Sequence, residues 1–117
     1  MEGQIKTQDY EVVFEPDNRL IYLKGSFWLS GQDEYAPIVQ LLNQAINQEQ
    51  TELTLNVQQV DFLNSSGINV ISKFVIGVRQ KGTIELTILG SKKIPWQTKS
   101  LVNFKRLLPS LKLDLES

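Results

Sequence analysis

The chain changes its period once in a way that leaves few folds open. An alternating run ends at Val60-Asp61-Phe62-Leu63-Asn64-Ser65-Ser66-Gly67, and a run spaced by threes and fours begins there. Upstream, Leu53, Leu55 and Val57 alternate with Thr54, Asn56 and Gln58, the pattern of a strand with one buried face. Downstream, Ile68, Ile71, Phe74, Val75 and Val78 form one stripe of an amphipathic helix, with Asn69, Ser72, Lys73 and Gln80 outside it. A strand therefore hands over to a helix through a polar turn. Asn64, Ser65 or Ser66 can each cap that helix, and Gly67 lets the backbone approach closely in its first turn. The unpaired amides of such a terminus favour an anion. A phosphoryl group there would bring about −1.5 to −2 charges and three acceptor oxygens. On spacing alone the two serines are ordinary caps.

The rest of the chain reads as an α/β domain around this junction. Residues 1–9 are polar and patternless, an expected flexible N-terminus ahead of a single domain over 10–117. Tyr10, Val12 and Phe14 alternate as a strand, Pro16-Asp17-Asn18 makes a turn, and Leu20 to Leu23 completes a hairpin. Gly25 to Glu34 reads as a loop carrying Phe27 and Trp28, adjacent aromatics that serve either as a core plug or as a binding platform. Asp33 to Gln48 reads as a helix buried through Tyr35, Ile38, Leu41, Leu42, Ala45 and Ile46, with Pro37 tolerable only in its first turn. The helix after the junction should end near Lys81-Gly82. Ile84, Leu86 and Ile88 mark another strand, and Pro95 to Pro109 bounds a last helix carrying Leu101, Val102, Phe104, Leu107 and Leu108. Leu111, Leu113 and Leu115 alternate with Lys112, Asp114 and Glu116 as a short terminal strand or extended segment. The order β-β-α-β-α-β-α predicts a mixed sheet of four to five strands, with parallel pairing, right-handed crossovers and helices mainly on one face.

Val60 to Gly67, between a strand and an apolar helix, resembles the D-S-S-G stretch of the STAS domains, the family of bacterial anti-sigma-factor antagonists. The order and length of the elements from about Tyr10 to Leu115 are similar to that family as well. The resemblance implies a STAS-like fold, with Ser65 as the phosphate acceptor and Ser66 as the second serine. It also places the loop bearing Phe27 and Trp28 beside the serine turn, so that Phe27, Trp28, Asn64, Ser65, Ser66 and Gly67 become the expected partner-binding residues. The family's Asp before the acceptor is Asn64 here, and Gly25-Ser26-Phe27-Trp28 stands where its G-x-L-D pattern would put a second acid. The implied partner is a serine-kinase-type anti-sigma factor or related regulator, with a phosphatase as a further partner and the protein itself a monomer or weak dimer. The implied role is transcription regulation and signal transduction in a bacterial cytoplasm.

Composition narrows the chemistry. At 117 residues the chain is long enough to bury about two-thirds of its unfolded surface without a metal or disulfide. Cysteine and histidine are both absent, which removes thiolate catalysis, the commonest general base and the soft metal ligands. No cofactor or metal is expected. An enzyme with Ser65 or Ser66 as nucleophile fits neither G-x-S-x-G, since Leu63 and Asn64 hold the leading positions, nor S-x-x-K, since Ile68 and Asn69 follow at the third place. No apolar run approaches the roughly 20 residues that span a bilayer, so no membrane partner is expected. Charge is uneven along the chain: three basic against ten acidic residues precede Ser65, and nine against three follow from it. Whether folding mixes these charges is not decided by sequence. Lys92, Lys93, Lys99, Lys105 and Arg106 interleave with Trp96 and Phe104, but Phe104 falls on an apolar stripe and no nucleic-acid partner is expected. The leading expectation is a protein-binding switch governed by Ser65. The alternative is a STAS-like scaffold or small-ligand module that never carries a phosphate.

Overall fold

In a computed structural model, which describes residues 3–48 and 51–116, six strands form one sheet in chain order. They are β1 (Gly3–Lys6), β2 (Tyr10–Glu15), β3 (Leu20–Phe27), β4 (Glu52–Leu63), β5 (Glu85–Ser91) and β6 (Lys112–Glu116). The helices are α1 (Gly31–Asn47), α2 (Ser65–Lys81) and α3 (Pro95–Leu107). The first two pairings are antiparallel and the remaining three parallel. Right-handed crossovers between successive parallel neighbours put all three helices on one face. Accordingly α1 packs on β1 and β2, α2 on β4, and α3 on β5 and β6, with α1 against α2 and α2 against α3.

The expected element order is observed, the terminal extended segment being the strand β6, and one strand is added at the N-terminal end: the sheet has six strands rather than four to five. The segment left without an element contains β1, which pairs Gly3 with Phe14 and Lys6 with Glu11. Too short to show a period of its own, it is held by the neighbouring strand. The expected loop is also shorter, because β3 runs on to Phe27 and α1 begins at Gly31. Pro37 consequently sits in the second turn of α1, not the first. Its ring is exposed, so the carbonyl it leaves unpaired one turn earlier faces solvent.

The core lies between the sheet and the helix layer. All six residues assigned to the α1 stripe are buried, as are Ile71, Phe74, Val75 and Val78 of α2. Gly82 closes α2 in the left-handed conformation with φ 74°. The opposite sheet face is only half-covered, and along it the register aligns Val13, Tyr22, Asn56, Leu89 and Asp114. Among the described residues no helix is long and apolar enough to cross a membrane.

One strand outruns its neighbour. β4 has twelve residues, but β5 pairs only with Glu52 to Asn56. Past Asn56, β4 stays with β3 through two register shifts, which insert extra β4 residues and bend the strand. On its other side, side chains from the start of α3 take the place of a strand. Gln97, fully buried, donates through Nε2 to the carbonyls of Val57 (2.7 Å) and Val60 (3.0 Å) and accepts from the Ser91 amide at 2.7 Å. Trp96 Nε1 adds a bond to Val60 O at 2.9 Å. Carbonyls that would otherwise be buried without partners are thereby satisfied, and the free half of β4 is fixed where it delivers the junction.

Candidate functional site

Parallel strands β3 and β4 end side by side, with Phe27 opposite Leu63, so the segments 28–30 and 64–66 meet there, while β5 stops short of them. Asn64 is the residue that ties the two together. Its backbone N–H donates to Phe27 O (3.3 Å), while its side chain caps α2 by accepting from Gly67 N at 2.9 Å. The same Oδ1 accepts from the Tyr35 hydroxyl at 2.7 Å, and Nδ2 donates to Leu29 O at 2.7 Å. One amide thus joins the end of β3, the second turn of α1 and the start of α2. Only a group with both an acceptor and a donor can make this set. Of the three candidate caps, Asn64 is the one used.

Tyr35 is 1% exposed, and its hydroxyl pKa is pushed up to about 12, first by burial and then by the electrostatic effect of Tyr10 and Glu34. It therefore stays a neutral donor to Asn64 at any physiological pH. Gly67 is required by close approach. A Cβ there would lie 2.3 Å from Leu63 Cδ1 and 2.6 Å from the Tyr35 hydroxyl.

With Asn64 serving as cap, Ser65 and Ser66 occupy the first two helical positions. The Ser65 side chain is exposed and that of Ser66 partly so, and among the described residues neither hydroxyl has a hydrogen-bond partner. No acidic residue occupies the first turn of α2, so the positive end of its dipole is uncompensated.

The two loop aromatics part company. Trp28 is 65% exposed and stacks on Phe62, with ring centroids 3.7 Å apart and planes 18° from parallel. Phe27, expected beside it on a loop, is instead the last residue of β3, buried and 4.8 Å from the Tyr10 ring. Strand alternation turns neighbours to opposite faces, so Phe27 belongs to the core and Trp28 to the surface. Gly67, also expected at the surface, is buried beneath it. Beside Trp28 lies an open groove of about 570 Å³, with Thr7, Asp9, Tyr10, Asp33 and Glu34 among its lining. The Glu34 carboxylate accepts from the Ser30 amide and fixes the entry to α1. On the other flank, Trp96 spends its indole N–H on Val60 and Phe104 is buried, so the aromatics interleaved with the lysines offer no free platform for bases.

Of the residues the sequence singled out, the structure brings Asn64, Ser65, Ser66 and Trp28 to one edge. Sequence reasoning missed Tyr35 as a polar partner, because a tyrosine on an apolar helix stripe reads as core. It also missed Gln97, whose only signal was a polar residue on the buried side of α3.

No family model matches the chain, and no curated protein matches it. Solved structures do. Apo-SiaC from Pseudomonas aeruginosa is 12% identical over 100% of this chain and 99% of that one, with a TM-score of 0.74. A second structure of SiaC of Pseudomonas aeruginosa gives 11% identity over 100% and 97%, with a TM-score of 0.71. A chain in the crystal structure of the diguanylate cyclase SiaD in complex with its activator SiaC, from the same organism, gives 13% over 97% and 97%, with a TM-score of 0.73. These likenesses show the fold, which is STAS-like.

Proposed function

We propose that this protein is a non-enzymatic regulator that docks another protein at the edge formed by Trp28 and the start of α2, and that phosphorylation of Ser65 ends the complex. The observation that carries this is an exposed hydroxyl at the first position of α2, on the edge that also presents the stacked Trp28–Phe62 pair. A large exposed ring can anchor an interface. A dianion placed in the same contact can cost several kcal/mol, and each ~1.4 kcal/mol is tenfold in affinity. SiaC, which shares this fold at low identity, is described as the activator of a diguanylate cyclase. That makes a signalling enzyme a candidate partner alongside the kinase-type anti-sigma factor implied by the motif.

The test uses diguanylate cyclases and GHKL-type kinases encoded in the same genome as immobilised partners. Trp28→Ala and Ser65→Glu should each weaken binding at least tenfold, and Ser65→Ala should spare it. Incubation with the same organism's serine kinases and ATP should add one phosphate at Ser65 by intact mass. Binding that ignores Trp28→Ala would overturn the docking surface. Equal affinity of the Glu and Ala variants, with no phosphate acquired, would leave the second reading, a phosphorylation-independent scaffold or ligand module, which the open groove beside Trp28 favours.

A further inference from the structure

The sequence left open whether its uneven charges mix on folding. They do not, because the strand order is the chain order, so the basic part of the sequence becomes one side of the molecule. The separation is sharpest in the helix layer. Lys73, Arg79, Lys81, Lys99, Lys105 and Arg106 lie on α2 and α3, which carry no carboxylate between them. All six are exposed, and among the described residues the one ion pair, Arg19 with Glu52, lies elsewhere. Arg79 reaches Leu107 O at 3.4 Å and links the two helices. Ile76 on α2 is 37% exposed and Val102 on α3 is 47% exposed. Val102 stands between Lys99 and Arg106 at the spacing of a single helical ridge.

From this we propose that the α2–α3 face is a peripheral docking surface for an anionic lipid bilayer. A group of exposed cations with isolated exposed aliphatic side chains and no carboxylate on the same helices matches a charged interface into which those side chains can dip. A protein partner is the poorer fit. Interfaces between proteins are commonly anchored by aromatic rings, whereas neither helix presents an exposed one: Phe74 and Phe104 are buried and Trp96 is tied to Val60. A nucleic-acid backbone would satisfy the cations and leave Ile76 and Val102 without a counterpart. The absence of a spanning helix does not bear on a surface of this kind, which lies on a membrane and does not cross it.

The test is flotation of the full chain with vesicles of 30% phosphatidylserine in phosphatidylcholine, and with phosphatidylcholine alone. Binding should require the anionic lipid and should fall steeply between 20 and 500 mM salt, on the order of the screening expected for exposed charges. Lys99→Gln with Arg106→Gln should lower the partition about 25-fold, or about fivefold per cation, the equivalent of roughly 1 kcal/mol each. Lys99→Arg with Arg106→Lys should leave it unchanged, and circular dichroism should show both variants folded. The proposal is overturned by absence of flotation at low salt, by equal binding to neutral vesicles, or by a Gln variant that binds as the parent does. It is equally overturned if a DNA duplex binds or the chain self-associates through this face while vesicles do not bind.

Discussion

Replacing Asn64 by Asp would restore the residue that the STAS motif carries, yet the structure says it should destabilise this protein. The carboxylate could keep two of the three side-chain bonds, accepting from Tyr35 and from the Gly67 amide. It could not donate to Leu29 O, now 2.7 Å from Nδ2, and would set one oxygen against another at that distance. Leaving a partly buried carbonyl unsatisfied costs about 1–3 kcal/mol. A negative charge at the start of α2 returns at most about 1 kcal/mol at such a site. With the cost at the middle of its range and the return at its largest, the expected net loss is at least about 1 kcal/mol at pH 7, or a fall in Tm of about 4 °C or more for a domain of this size. Protonation reverses the sign of the local effect, since a neutral carboxyl can donate to Leu29. The folded state then raises the pKa of the introduced carboxyl above the unfolded value of about 3.9, so the missing stability is present below that pH and is lost as pH rises through the folded pKa. Urea denaturation of Asn64→Asp and the parent at pH 7 and pH 3.5 measures this. A variant as stable as the parent at pH 7, or a deficit unchanged by acid, would show that the Leu29 contact is not what selects an amide at this position.

Three further outcomes follow from neighbouring contacts. Tyr35, with its pKa raised to about 12, contributes stability that is fully present below about pH 10 and is lost as pH rises through 12; alkaline denaturation of Tyr35→Phe should lack that part of the slope. Gly67→Ala should cost about 1–3 kcal/mol in thermal unfolding, because the clash with Leu63 and Tyr35 outweighs the ~1 kcal/mol gained in helix propensity. Gln97→Leu should cost about 2–4 kcal/mol in urea, since it strands the carbonyls of Val57 and Val60 and the Ser91 amide together; a neutral result would mean the free half of β4 is held by β3 alone.

The sequence was most informative where burial follows from a single element. The α1 stripe was legible residue by residue, because a helix against a sheet buries one face and that face has a fixed spacing. The start of α2 was legible for the same reason, as were its close at Gly82 and the exposure of Ser65. Phe27 and Trp28 were harder: two adjacent aromatics cannot say which one turns inward until the end of β3 is known. Val102 is apolar and exposed, while Gln97 is polar and buried. In both cases the side chain's fate depends on what another element leaves uncovered.

By itself, then, the chain determined its succession of strands and helices from Tyr10 onward and the hydroxyl-bearing turn between β4 and α2, since these rest on periodicity and capping within a few residues. Tertiary structure alone decided that Asn64 must be an amide, because Leu29 supplies a carbonyl from 35 positions away, and that Gln97 must be buried, because β5 stops short of the end of β4. It also decided that the charges stay apart, because strands laid down in chain order keep distant parts of the sequence on separate sides. A hydrogen bond or a shared surface between remote residues exists only once the sheet has brought them together, and no local pattern encodes that meeting.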